Sequence, residues 1–422
     1  MRRLLTRILS DDPLIRAMSY QSVLSAFGEG TFLTGSAVFF TQIVGLTAAQ
    51  VGLGMTIAMS GQFLLSVPLG KLADKVGTKQ TWVYGSVLEL GLFLCWPLAG
   101  DFVQYVAVTV AMEIVGTWLR AGRNAYRFQV FPREKRVSSN AYMRAARNVG
   151  YTLGAAAGGV ALGFGSDGVI RAIPLFSAVV LVANVLMILP LPAVGEPADG
   201  QADEPTMEQA VEHAHDRRSA LHNRGFVAMS FFDGVLSTHQ VLLNTVIPLW
   251  LVQETDAPRV LLAWLFGTNT VMAVLLQVAA ARGVTDVRSS LGAQRRGALC
   301  MLASCVIVAV THDTSGAITI GLVWLGHLTV TGAELFQSAG EWGLQAELSD
   351  PERMGEYQGA AQLGSTLGYV WAPAAYTYLA MEWHDLGWVL IGSIIVVAAI
   401  GIRPSARAAE RHLARAGQPA PV

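Results

Sequence analysis

Residues 70–79 read GKLADKVGTK, a short polar stretch between two long apolar segments. Gly70 and Gly77 permit a tight turn and a close approach of neighbouring helices, because neither carries a side chain. Asp74 can pair with a cation or lie near a helix N-terminus, where negative charge is stabilised. The lysines favour one aqueous side of a membrane. The stretch therefore predicts a loop between two membrane-spanning helices.

The composition of the chain points to a membrane protein. Of its 422 residues, 53% are apolar and 14% are charged, whereas about a quarter are charged in soluble domains. The excess apolar surface must face lipid. A net charge of −1 argues against nucleic acid as a partner. The sequence contains no P-loop, GxSxG or HExxH pattern and no CxxC pair, so we expect no enzymatic activity, no cofactor and no metal.

Twelve apolar segments are long enough to cross a bilayer, which needs roughly 20 residues per helix. We predict spans at 17–43, 48–69, 81–99, 102–120, 139–163, 170–192, 225–252, 260–281, 297–311, 317–340, 358–380 and 386–403. The predicted fold is an all-α membrane protein with two pseudo-symmetric six-helix bundles, residues 17–192 and 224–404. An N-terminal lead-in (1–16), a linker (193–223) and a tail (405–422) complete the chain. The linker histidines His213, His215 and His222 are interpreted as solvated residues rather than a metal site.

The distribution of basic residues predicts the orientation. With twelve spans, 27 of the 29 lysines and arginines fall in or beside the loops of one side, and only Arg171 and Arg259 fall outside. Basic loops stay in the cytoplasm. We therefore expect both termini to be cytoplasmic, in a multi-pass protein of a bacterial cytoplasmic membrane.

Short matching stretches relate the two halves. Residues 27–30 (FGEG) in span one correspond to residues 231–234 (FFDG) in span seven. Residues 150–154 (GYTLG) in span five correspond to residues 364–368 (GSTLG) in span eleven. The offsets are nearly equal, which favours an internal duplication with a site at the interface of the repeats.

The loop at 70–79 closely resembles the loop 2–3 signature of the major facilitator superfamily, carried here by Gly70, Asp74, Lys75, Gly77 and Lys79. Lys75 replaces the usual arginine, and a threonine replaces the first trailing basic residue. The resemblance covers the whole chain in layout and implies a secondary transporter. Such a protein rocks two helix bundles about a central cavity.

Two further stretches resemble the drug-exporting branches of that superfamily, particularly the macrolide-efflux type. Span five carries a stripe of small residues for close helix packing, namely Gly150, Gly154, Gly158 and Gly159. It resembles an antiporter signature, with Ala155 where that signature has proline, and generic packing explains the stripe equally well. The second stretch, between spans four and five, contains Arg120, Arg123, Arg144 and Arg147.

Charged residues within the spans are the candidates for coupling and for the cavity, because such charges are costly and usually functional. Glu29 and Asp233 occupy the central parts of matching spans, and burial favours the neutral, protonated form of a carboxyl. His327 and Glu334 lie on one stripe of span ten, which Glu341 extends. Other buried candidates are Glu89, Glu113 and His239, each of which could equally be structural.

These patterns predict a proton-coupled exporter of drugs or small metabolites. The expected partners are a small-molecule substrate, protons and lipid, with the protein acting as a monomer, and an acid in the cavity is expected to attract cationic substrates. An importer, or a transporter of another defined small solute, is the alternative. A non-transporting receptor or scaffold is disfavoured, because a scaffold gains nothing from costly buried charges.

Overall fold

The computed structural model describes residues 10–194 and 219–415, and every regular element within those ranges is a helix. The all-α prediction is therefore confirmed. The first nine residues lie outside the described residues, as does much of the predicted linker, with His213 and His215. The helices are α1 Pro13–Val38, α2 Ala48–Val76, α3 Thr78–Cys95, α4 Phe102–Val130, α5 Arg133–Gly163, α6 Asp167–Ile188, α7 Arg224–Leu236, α8 Leu261–Ala280, α9 Val287–Val310, α10 Ala317–Leu348 and α11 Met354–Arg415.

Ten helical segments in the described ranges are long and apolar enough to cross a membrane. Helix α5 is not among them, because arginines and glycines lower its hydropathy. The tenth segment, Pro351–Arg415, contains both of the last two predicted spans. These helices accommodate the twelve predicted spans, and the count of twelve stays a prediction.

Helix α11 is interrupted at His384, whose φ of 44° is non-helical. This residue falls in the gap predicted between spans eleven and twelve, and it divides α11 into a first arm (354–383) and a second arm (385–415). The second arm remains helical as far as Arg415, so the described part of the predicted tail extends a membrane helix. Several other helices also run beyond their predicted ends, because a helix can continue into water with polar side chains on its surface.

The two halves repeat the same local packing. In the N-terminal half, a Cβ on Gly154 would overlap the backbone oxygen of Phe27 in α1. In the C-terminal half, a Cβ on Gly368 would overlap the backbone oxygen of Gly234 in α7. Both pairs of helices therefore approach at backbone distance.

The first membrane segment of each half also contains a π-helical turn, which comes after the end of the α-helix that opens the segment. Residues Phe39–Ile43 follow α1, and residues Leu242–Val246 follow α7, at an offset of 203 positions. Such turns are rare and are concentrated at functional sites. The shared offset is close to the offsets of the sequence matches, as expected for a duplicated unit.

The halves join at one end of the molecule, here called the basic end, which carries the 70–79 loop and the first residues of α5 and α11. Two buried apolar clusters at this end contain residues from both halves, one around Val137 and Ala339 and one around Phe128 and Met354. At the opposite end, here called the far end, the cluster around Phe40 lies within the N-terminal half and the cluster around Leu251 lies within the C-terminal half. The described residues are thus sealed together at the basic end.

Candidate functional site

A cavity of about 530 Å³ lies between the two halves above this seal. Helices α4 and α5 supply its wall on the N-terminal side, and α8, α10, α11 and the continuation of α7 supply the other wall. Most of its lining is polar: Arg120, Arg123, Asn124, Arg127, Asn140, Arg144, Arg147, Asn148, Tyr151, Gln240, Asn244, Asn269, Glu334, Glu341, Gln345, Gln358, Gln362, Ser365 and Tyr369. A polar lining of this kind suits a hydrophilic or charged solute.

The charges on the two walls are opposite in sign and unequal in number. Five arginines line the N-terminal wall, whereas the C-terminal wall contributes Glu334 and Glu341. The expected attraction of cationic substrates by an acid in the cavity stays a prediction, and the arginines singled out between spans four and five line the same cavity. Arg123 and Arg127 have no ion-pair partner within the described residues, and Arg127 is only 7% exposed.

An ion pair crosses the cavity from one half to the other. Arg144 Nη2 in α5 donates to Glu334 Oε1 in α10 at 2.7 Å. The second carboxylate oxygen of Glu334 accepts a hydrogen bond of 3.0 Å from Asn269 Nδ2 in α8. Both oxygens are therefore occupied, and charge-assisted bonds of this length are strong. This ion pair therefore connects the two walls of the cavity through charged side chains.

Glu29 is bound within the N-terminal half. Its Oε2 accepts from Arg147 Nη2 at 3.1 Å and from the Tyr151 hydroxyl, while Oε1 accepts from Ser25 Oγ at 3.1 Å. Glu29 and Glu89 line a separate cavity of about 340 Å³. Four residues line both cavities and so form the wall between them: Arg120, Arg123, Arg147 and Tyr151. Glu29 therefore does not line the central cavity and is separated from it by these side chains.

Asp233 is buried in the C-terminal half and is held by amides. Its Oδ1 accepts from Gln294 Nε2 at 2.5 Å and from Gln337 Nε2 at 3.1 Å. No cation pairs with it within the described residues. Gln337 Nε2 also lies 3.4 Å from Glu341 Oε2, and Glu341 faces the central cavity. A continuous polar path thus runs from the cavity through Glu341 and Gln337 to Asp233.

The remaining sequence candidates lie apart from the central lining. His327 is 3% exposed and does not line the cavity, although it shares a helix with Glu334. His239 contacts Gln337 through Nε2, 3.3 Å from the amide oxygen, and so belongs to the Asp233 network. Glu113 pairs with Arg120 Nη2 at 3.2 Å, as a structural partner within α4.

The loop 2–3 aspartate reaches across the seal. Asp74 Oδ1 accepts from the backbone N–H of Gly355 at 2.6 Å, and Oδ2 accepts from the N–H of Glu356 at 2.8 Å. These are unpaired donors of the first turn of α11, where a carboxylate is favoured. Lys71 lies 3.4 Å from Glu356, and a Cβ on Gly70 would overlap the backbone oxygen of Gly355. The N-terminal half therefore caps a helix of the C-terminal half.

Residues 282–288 (RGVTDVR) form a weaker second-half counterpart of loop 2–3, and the aspartate of this stretch behaves differently. Asp286 Oδ1 accepts from Ser289 N at 2.6 Å and caps its own helix, α9. Elsewhere in loop 2–3, Lys79 Nζ donates to the backbone oxygens of Leu189, at 2.9 Å, and Leu191. Lys75 is exposed. The seal is completed by Arg133, whose Nε lies 2.9 Å and 3.1 Å from the two carboxylate oxygens of Glu347.

Sequence reasoning missed three residues of the site. Tyr151 lies four residues after Arg147, and Gln337 lies three residues after Glu334, so helical spacing could have found both. Gln294 carries no comparable local signal, because it meets Asp233 only through the packing of α9 on α7.

Comparison with known proteins agrees with this architecture. The family model of the Major Facilitator Superfamily matches residues 19–373. The chain belongs to this superfamily. It is therefore a multi-pass membrane protein of a transporter family rather than an enzyme. No curated protein sequence matches the chain.

Solved structures of other superfamily transporters share the fold at low sequence identity. A bacterial homologue of the iron transporter ferroportin, in an outward-facing state, has 13% identity and a TM-score of 0.72, over 94% of this chain and 100% of that chain. The human organic anion transporter MFSD10 has 13% identity and a TM-score of 0.65, over 93% and 100%. The E. coli fucose:proton symporter FucP has 13% identity and a TM-score of 0.64, over 93% and 98%. These likenesses show that the chain shares the fold of these proteins.

Proposed function

We propose that this transporter exports small anionic molecules in exchange for protons. The observation that carries the substrate charge is the pair of arginines, Arg123 and Arg127, that face the central cavity without an ion-pair partner among the described residues. Arg127 is buried, a buried cation without a counter-ion is costly, and an anionic solute in the cavity would supply that counter-ion. A carboxylate or phosphate suits the planar fork of an arginine, which can donate two parallel hydrogen bonds.

The proton site is proposed at Asp233. A glutamine amide has both donors and an acceptor, so Gln294 and Gln337 can satisfy Asp233 with or without its proton. The amide oxygen of Gln294 has no partner within the described residues, and a reversed amide could accept from a protonated Asp233. Glu341 faces the cavity beside this network, so protons would reach Asp233 from the side of Glu341, while Gln337 holds the two acids in place.

The transport direction follows from the orientation proposed by the positive-inside rule. With the basic end in the cytoplasm, the seal at that end corresponds to an outward-open state. Protons would load Asp233 from outside, and the substrate would load from the cytoplasm after rocking. An interior-negative membrane potential favours the exit of an anion by about 2.3 kcal/mol per charge per 100 mV.

Flux in reconstituted vesicles tests the proposal. Purified protein is placed in liposomes that contain a pH-sensitive dye, and a fluorescent organic anion, carboxyfluorescein, is compared with a cation, ethidium. We expect an imposed proton gradient to drive movement of the anion opposite to the protons. Movement of the anion in the same direction as the protons would identify an importer. Preference for ethidium would refute the proposed substrate charge. An absence of flux for both probes would contradict the proposal.

Arg127→Gln and Arg123→Gln sharpen the test of substrate charge. Each variant should raise the anion concentration needed for half-maximal transport by about tenfold, because a hydrogen bond to a charged group contributes about 1.5–3 kcal/mol. Arg171→Gln is the matched control for the loss of one positive charge, because Arg171 is exposed and lies outside the cavity lining. If all three variants transport the anion equally, Arg123 and Arg127 do not bind it.

A further inference from the structure

Three side chains able to ligate a metal meet at the far end of the C-terminal half, away from the central cavity. Glu254 directly follows the short helix Ile247–Gln253, which continues the path of α7. His312 lies in the turn after α9, and His384 lies at the kink of α11. Glu254 Oε2 is 3.3 Å from His384 Nε2 and 3.5 Å from His312 Nδ1. We propose that these three residues form a binding site for a transition-metal ion of the Zn²⁺ type.

The spacing of the ligand atoms fits such an ion. Bonds of about 2.0–2.1 Å to a tetrahedral Zn²⁺ separate neighbouring ligand atoms by about 3.3–3.4 Å. The two distances from Glu254, 3.3 Å and 3.5 Å, lie close to this value, and all three ligand atoms lie within 4.8 Å of one another. The side chains of His312 and His384 are 45% and 43% exposed, so a small rotation of either ring can close the third distance.

The ligand types select the class of metal. Two imidazole nitrogens suit Zn²⁺, Ni²⁺ and Cu²⁺, whereas Mg²⁺ and Ca²⁺ prefer oxygen ligands. Two histidines and one glutamate also leave a fourth tetrahedral position for water. Because both rings are partly exposed, an ion can enter from the aqueous phase at the far end.

The surrounding structure holds the two rings in place. Trp250 is fully buried, and its indole lies 6.0 Å from the ring of His312 and 6.1 Å from the ring of His384, measured between centroids. Its Nε1 donates to Thr311 Oγ1 at 2.9 Å, which ties the indole to the turn that carries His312. Fixed surroundings of this kind orient metal ligands.

The backbone at His384 is unusual in a way that the metal site explains. Among the described residues, it is the one non-glycine residue with a positive φ, at 44°. Such a conformation is strained for most side chains and persists at functional sites when the surroundings over-determine it. A glycine would form this turn without strain, but it would remove the third ligand.

The proposed ion would join the ends of three helix pairs within one half. It therefore leaves the rocking of the two halves free, and it acts separately from the proposed anion site. An occupied site should stabilise the turns at the far end, since binding to the folded state alone raises the melting temperature.

Zinc titration of the full-length protein, purified without a polyhistidine tag, tests the proposal. Calorimetry should show one Zn²⁺ bound per chain with a rise in melting temperature, and Mg²⁺ should produce neither effect. His384→Gly should lower the Zn²⁺ affinity by at least about tenfold, since one of three ligands is lost. This variant tolerates the positive φ, so its fold is expected to be retained. Glu254→Gln, which keeps the size of the side chain, should lower the affinity similarly.

His222→Ala is the matched control, because His222 is an exposed histidine of the described chain outside the cluster. It should leave the Zn²⁺ affinity unchanged. Equal Zn²⁺ binding in the wild type, His384→Gly and Glu254→Gln would place the metal elsewhere and overturn the proposal. An absence of Zn²⁺ binding in the wild type would refute the proposed metal site.

Discussion

Glu29 and Asp233 lie on corresponding helices, α1 and α7, yet their neighbours differ in charge. Glu29 pairs with Arg147 and also accepts from Tyr151. Asp233 accepts from two glutamines and has no cation beside it among the described residues. The glycine contacts around the two acids are nevertheless alike in both halves.

The difference separates two roles that a duplicated acid can take. An arginine partner stabilises only the charged carboxylate, whereas an amide can satisfy both protonation states. We therefore expect the N-terminal acid to hold its arginines in position and the C-terminal acid to exchange a proton. The shared packing and the divergent charge can be tested independently.

The largest expected effect concerns the shared packing. Gly154→Leu and Gly368→Leu should each destabilise the protein by at least about 3 kcal/mol, because a side chain at either position overlaps the backbone of the neighbouring helix. Thermal unfolding and the yield of monodisperse protein measure the effect. Gly159→Leu is the control, since a Cβ on Gly159 meets no atom within 4 Å. A stable Gly154→Leu protein beside an unstable Gly368→Leu protein would mean that the halves do not pack alike.

The next effect tests the divergent charge. Asp233→Asn should reduce proton-driven accumulation at least about tenfold while sparing exchange of substrate, because exchange needs the cavity but not the proton. Glu29→Gln should keep proton-driven transport. It should also lower stability by about 1–3 kcal/mol, because Arg147 loses a charged partner. Vesicle flux with and without a pH gradient separates these outcomes.

Glu334→Gln supplies the control for loss of an acid from the cavity itself. It should weaken the link between Arg144 and α10 and alter substrate affinity rather than proton coupling. If the wild-type pattern persists in Asp233→Asn, and Glu29→Gln or Glu334→Gln loses proton coupling instead, the assignment of roles to the two halves is wrong.

A smaller effect is expected at loop 2–3, whose Asp74 contacts the other half. Asp74→Asn should slow transport several-fold while leaving the fold intact, because the variant loses the charge that caps α11 at Gly355 and Glu356. Cysteine labelling of the cavity from the far end should fall, as the seal at the basic end weakens. Unchanged transport and labelling in a folded Asp74→Asn protein would contradict the bridging role.

The smallest effect concerns the second copy of that loop. The hydrogen bonds from Ser289 lower the pKa of Asp286 below its ordinary value of 3.8, so its stabilising cap is fully present at neutral pH, begins to weaken near that ordinary value and is lost as the pH falls through the lowered pKa. Asp286→Asn should cost no more than about 1 kcal/mol and leave transport unchanged. Melting curves at pH 7 and pH 3.5 should show the gap between wild type and variant narrowing in acid.

The sequence predicted those features that depend on local pattern. Hydropathy located the helices, and the gap between the last two predicted spans contains His384, where α11 bends. The helix ends were less predictable, because polar extensions such as the end of α4 at Val130 continue beyond the apolar stretch.

Features that arise from packing between distant helices could not be predicted in this way. Gln294 reaches Asp233 across 61 positions, and no spacing rule connects them. The charge balance of the cavity also depends on such packing, since counting acids within spans leaves out where the arginines of α4 and α5 point. Only the assembled halves show that Arg123 and Arg127 face the cavity.

Helix α5 has a consequence for biogenesis. It is absent from the ten segments apolar enough to cross a membrane alone, and a translocon partitions each emerging segment according to its hydropathy. Gly150 and Gly154 lie directly against the backbone of α1, so α5 has a ready neighbour that can shield its polar groups from lipid. We expect α5 to insert only after α1 is in the membrane. Glycosylation mapping of chains that lack residues 13–43 should find α5 left outside the bilayer.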